Sequence, residues 1–128
     1  MQRFLLLFVL IAACRTTVSS APPNISAAVA TLARPARVWE LRDGGTLVGC
    51  VVRLEVGGDP ERAWFSVRNA HQQELGIIDV HGRIWRYRPH QREPDWLGSG
   101  TVLQGARSIL DSGEGAELVE VGLEVLPM

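Results

Sequence analysis

The residues best equipped for chemistry lie between His81 and Arg92. Four arginines and two histidines fall in this short span, interleaved with aromatics in Arg83-Ile84-Trp85-Arg86-Tyr87-Arg88-Pro89-His90-Gln91-Arg92. Guanidinium groups pair phosphates, and aromatic rings stack on bases, so this composition fits a surface for a negatively charged partner. Arg83, Arg86, Arg88, His90, Arg92 and, a little further on, Trp96 form the candidate binding surface. Strand alternation puts Trp85 and Tyr87 on one side and Ile84, Arg86 and Arg88 on the other. The plainer alternative is a buried aromatic pair beneath a solvated arginine face.

Other chemistries find less support. Asp79-x-His81 and His90-x-x-Glu93-x-Asp95 bring donors close together, but the spacing matches no zinc or calcium signature, and no metal site or cofactor is expected. Gly98-Ser99-Gly100 lacks the Gly-x-Ser-x-Gly pattern and the strand-to-helix context of a hydrolase elbow. The paired glycines at 44–45 and 57–58 come without a phosphate-loop lysine; the thirteen basic residues are all arginine. Cys50 sits in an apolar strand pattern, where a thiol behaves as a small apolar side chain with a poorly formed thiolate. No catalytic residue is assigned, and the chain is not expected to be an enzyme. Trp39, Trp64, Trp85 and Trp96 also admit a carbohydrate platform. Trp96 lies in the long loop from Pro89 to Gly100, either as a ligand contact or as a lid folded back over an open barrel end.

These side chains must be positioned by a small scaffold. The 128 residues suffice for one domain, and residues 37–128 carry the core-forming pattern. Strand patterns run from Arg37 to Arg42, Thr46 to Val56, Arg62 to Arg68, Glu74 to Asp79 and Ile84 to Arg88, separated by turns at Asp43-Gly44-Gly45, Gly57-Gly58-Asp59-Pro60 and His81-Gly82. In the second of these, Val48, Cys50, Val52, Leu54 and Val56 should share one face. Thr101 and Gln104 form a capping-box pattern that opens a helix near 101–111, with Val102, Leu103, Ala106, Ile109 and Leu110 on its apolar side and Ser112-Gly113 at its end. A last strand alternates through Val119, Val121, Leu123 and Val125 and should pair back with an early strand. The expected fold is mainly β (α+β): an antiparallel meander of about five to six strands, curled into a sheet or barrel, with one helix.

The N-terminus speaks of address. Met1-Gln2-Arg3 is a short positive segment, and Phe4 to Ala13 is an unbroken apolar run of ten residues. A bilayer-spanning helix needs ~20 apolar residues, so this run fits the core of a signal peptide. It ends in Ile11-Ala12-Ala13-Cys14, which with Leu10 resembles the lipobox of bacterial lipoproteins. The resemblance covers these fourteen residues and says nothing of the domain. It implies diacylglycerol on the Cys14 thiol, cleavage just before Cys14 and acylation of the new amino terminus. Several acyl chains hold a protein durably, since each buried methylene contributes ~0.8 kcal/mol. Residues 1–13 are then a signal peptide, and residues 14–36, rich in Ser, Thr, Ala and Pro, a tether in which Ile25 to Ala33 could form a turn or two of helix. Arg15 follows the cysteine where an inner-membrane lipoprotein tends to carry aspartate, which makes the outer membrane the default. The competing expectation is a signal cut near Ser20, giving a soluble secreted or periplasmic protein.

The formal charge of −1 becomes −2 once Arg3 leaves with the leader, and this gives no reason to expect a polyanion partner. Export also removes nucleic acid from consideration. What remains is a small envelope protein, tethered by lipid, acting as a binding or accessory module toward an acidic envelope ligand or a protein partner.

Overall fold

The computed structural model describes residues 25–127. The leader and the proposed lipid site at Cys14 lie outside the described residues. The chain forms a short helix α1 (Ala27–Leu32), six strands β1 (Ala33–Asp43), β2 (Thr46–Val56), β3 (Asp59–Asn69), β4 (Glu74–Asp79), β5 (Arg83–Arg86) and β6 (Asp95–Ser99), a second helix α2 (Val102–Leu110), a strand β7 (Glu117–Val121) and a 3-10 turn (Leu123–Val125). All strands join one antiparallel sheet in the order β6-β5-β4-β3-β2-β1-β7. The sheet curls but does not close, so β6 and β7 are its two edges. The mainly β meander with its capped helix near 101–111 is thus the fold, as an open sheet of seven strands with a second short helix, α1, ahead of it.

Turn chemistry explains the meander. Gly44 and Gly45 both hold positive φ (56° and 86°) between β1 and β2, a conformation that favours glycine and matches the twist of a hairpin. The β4–β5 turn is held from inside: Asp79, 6% exposed, accepts the backbone amides of His81 and Arg83 on Oδ1 and the Arg83 side chain on Oδ2. One carboxylate therefore both closes the turn and fixes the arginine that follows it.

Both faces of the sheet are buried. On one, Leu41, Val51, Phe65, Val67, Ile78 and Ile84 pack with Ala106 and Ile109 of α2. Helix α2 starts at the capping box: the Thr101 hydroxyl accepts the Gln104 amide at 3.1 Å, and the Gln104 side chain accepts the Thr101 amide at 2.8 Å. Its C-terminus is tied down by Arg107, whose guanidinium donates to the Ala116 carbonyl ahead of β7. On the other face lie Val38, Cys50 and Val52, then Val56, Trp64, Ile77 and Trp85, against which Ile25, Val29 and Ala33 pack. Burying a side chain such as Ile109 completely is worth ~1.5–3 kcal/mol, so α2 is held mainly by this packing.

Several details differ from the sequence patterns. Strand β1 starts at Ala33, four residues before Arg37, and Ala36 is a bulge between Pro35 and Arg37. Val48 is likewise bulged, because Leu41 pairs with Gly49 and Arg42 with Leu47. Val48 therefore packs toward α2, away from Cys50 and Val52, whose face it was expected to share. The last strand stops at Val121, and Leu123 to Val125 turn into 3-10 helix with Leu123 and Val125 half exposed. Strand β6 arises inside what the sequence suggested was a loop, paired to β5.

Candidate functional site

Cross-strand register decides which side chains meet. One row runs across all seven strands through Trp96, Trp85, Ile77, Ser66, Val52, Val38 and Val121, each directly opposite the next. Directly paired residues share a face. A second complete row, on the α2 side, runs through Asp95, Arg86, Gly76, Val67, Val51, Trp39 and Glu120.

These rows split the arginine segment. Arg86 belongs to the α2 side opposite Asp95, and Arg88 forms an ion pair with that same Asp95. Arg83 is committed elsewhere: its guanidinium bonds to Asp79 and stands 5.1 Å from the centre of the Trp85 ring. Trp96 lies on the face opposite Arg86, beside the fully buried Trp85, and is 48% exposed. His90 sits in the exposed turn after β5 with φ of 66°, and Arg92 is exposed beyond it. The six candidate residues therefore occupy one end of the sheet, around β5 and β6, but not one surface. Ile84 and Trp85 are both buried, so neither side of β5 is a free arginine face. Trp96 is part of an edge strand, where it covers no barrel mouth, since the sheet has none.

The remaining donors serve local structure. The His71 amide bonds to Asn69 Oδ1 and the His81 amide to Asp79, both closing turns. Among the described residues, no three His, Cys, Asp or Glu side chains gather in a way that could hold a metal. Ser99 pairs with Arg83 in the sheet ladder and so belongs to an edge strand. Cys50 is 4% exposed, its Sγ 3.7 Å from Gln72 Oε1, and burial pushes its thiol above the usual range.

A further polar group had no sequence signal. Ser66, fully buried in the middle of the apolar row, donates to Glu74 Oε2 and accepts from Arg68 Nε at 3.1 Å. Tyr87 stands beside Glu74, and burial together with the Glu74 charge pushes its phenol up to about 12. The bulge at Leu75, between the pairs Val67–Gly76 and Arg68–Glu74, is what brings Glu74 beside Arg68. In the sequence Ser66 is one small residue in a strand, and its neighbours appear only once the β3–β4 register is known.

No protein-family model, curated protein or solved structure matches this chain.

Proposed function

We propose that this chain is an exported envelope protein, anchored by lipid on Cys14, whose domain binds a partner through the β5–β6 end of the sheet. The observation that supports a binding role is Trp96: a large aromatic side chain, 48% exposed, on an edge strand and followed in the chain by the half-exposed Leu97. Edge strands present unpaired backbone groups, and a protein partner can add a strand there while its side chains pack on the aromatic. Exposed Arg92 and His90 at the same end favour a partner carrying acidic residues. A non-catalytic role is supported by where the polar side chains are committed. Asp79 closes a turn, Thr101 caps a helix and Arg107 ties α2 to the chain ahead of β7.

Two experiments test this. Metabolic labelling with a fatty-acid analogue should mark the wild type and not Cys14→Ser; absence of label, with a mature chain starting near Ala21, would replace the anchored protein by a soluble secreted one. A photo-crosslinking residue at Leu97 in the intact cell envelope should give one discrete adduct that disappears in Trp96→Ala. Leu97 giving no adduct, or one unaffected by Trp96→Ala, would remove the β6 edge from the reading.

A further inference from the structure

Ser66 is the one polar member of a seven-residue row that is otherwise Trp, Ile and Val. Valine would fill the position as it does at Val52 and Val38, without any need to satisfy a hydroxyl. Here the hydroxyl both donates and accepts, and both partners are charged: it donates to Glu74 and accepts from Arg68. Its effect is to hold two opposite charges side by side, each bound to Ser66. Among the described residues Arg68 is bonded through Nε alone, with both terminal amino groups of the guanidinium unused, while Glu74 is held by Ser66 through Oε2 and also touched by the Tyr87 side chain.

Both charges line a groove of about 360 Å³ on the face opposite α2. Its other walls are apolar or aromatic: Trp64 and Leu54 from the sheet, Ile25 ahead of α1, and Tyr87 at the end of β5. The groove therefore has a polar end carrying one positive and one negative group, and an apolar length beside it.

We propose that this groove binds a small zwitterion with an apolar side chain, in its simplest form a free α-amino acid. The carboxylate would sit on the terminal amino groups of Arg68, as a two-point contact that a guanidinium makes and a point charge does not. The ammonium would sit on Glu74, and the side chain would lie against Trp64 and Leu54. Ser66 holds the guanidinium and the carboxylate beside one another, as the ammonium and carboxylate of an α-amino acid stand beside one another on one carbon. A simple anion is repelled by Glu74 and a simple cation by Arg68, so the pair selects for a ligand bearing both. The site shares no residue with the Trp96 edge, and it stands or falls independently of the lipid anchor and of that edge.

Calorimetric titration of the purified full chain in detergent with L-leucine and L-phenylalanine tests the proposal. Each is compared with its N-acetyl and carboxamide derivatives, which remove one charge at a time. The free amino acids should bind, and either derivative should bind about tenfold more weakly or worse. In Arg68→Met the carboxamide should lose no more affinity than the free acid, and in Glu74→Gln the same should hold for the N-acetyl form. Ser66→Ala should weaken all ligands while near-ultraviolet circular dichroism stays native. No heat with any free amino acid, or equal binding of free and blocked forms, would overturn the proposal. The ligand derivatives give this answer on the wild-type chain, whatever the variants do to folding.

Discussion

Gly76 of β4 faces Trp85 of β5 with no room for a side chain: a Cβ there would lie 2.3 Å from the Trp85 carbonyl oxygen. The same Cβ would come within 2.9 Å of Ile109 Cδ1 in α2. Gly76 is thus the gap in the α2-side row through which Ile109 reaches the sheet. Gly49 does the same for Leu110, and Gly105 on the helix leaves space for Ile78. Helix and sheet approach closely because glycines stand at the contact.

Gly76→Ala should therefore destabilise the domain by about 2–3 kcal/mol, read as a lower midpoint in urea denaturation. Adding Ile109→Val should recover only part of the loss, because the Trp85 oxygen is backbone and cannot move out of the way. Gly105→Ala should cost less. Its closest contact is the end of the Ile78 side chain, and alanine favours the helix by about 1 kcal/mol over glycine. Equal stability of Gly76→Ala and wild type would mean that the close approach is not needed.

Asp79 carries a second prediction. Its carboxylate accepts two backbone amides and the Arg83 side chain while nearly buried. Asp79→Ala leaves all three donors short of a partner, and should cost about 3 kcal/mol by chemical denaturation. Asp79→Asn keeps one oxygen for the backbone and loses the charge facing Arg83, so its cost should be roughly half of that. If the two variants were equally stable, the backbone bonds that asparagine keeps would be contributing nothing, whereas Asp79→Asn as stable as wild type would mean that the Arg83 ion pair contributes nothing.

The strands that alternate between glycine-rich turns were legible as a pattern, and so was α2, because the capping box at Thr101 and Gln104 is a local signal with a local cause. What failed to show depends on partners distant in sequence. Asp95–Ser99 is short, follows Pro94 and contains Gly98, so only its pairing with β5 makes it a strand. The exposure of Trp85 and Ile84 was open because alternation names two faces but not whether one meets water; here both are core. The bulge at Val48 reverses one side chain, and the bulge at Leu75 assembles Ser66, Arg68 and Glu74; neither follows from alternation, which a bulge interrupts.

Cys50 offers a direct measure of burial. In the Cys14→Ser variant it is the only thiol in the chain. Burial raises its pKa above 9.0, opposed by the nearby Arg68 charge, so both access and ionisation hold it back. A thiol reagent should react with it about a hundredfold or more slowly in the folded protein than in urea. A native rate near the unfolded one would place Cys50 in solvent-accessible structure.

Tyr87 gives the sharpest prediction, because the titration can be seen without interference. It is the only tyrosine, and the chain has no lysine to titrate in the same range. Burial, then the Glu74 charge and the contact between the two side chains, push its pKa from 10.0 up to about 12. The neutral phenol is therefore favoured in the folded state. Below pH about 10 both folded and unfolded chains keep the proton, and the contribution of Tyr87 to stability is complete. Between about 10 and 12 the unfolded chain loses the proton first, so stability should fall with rising pH through that window, and above it the contribution is gone. Phenolate absorbance in the folded protein should show a midpoint near 12, moving down in Glu74→Gln and to about 10 in denaturant. Tyr87→Phe should remove this part of the alkaline loss of stability while leaving the rest. A midpoint near 10 in the native protein would show that Tyr87 is not held against Glu74, and would weaken the zwitterion groove whose polar end that contact helps to build.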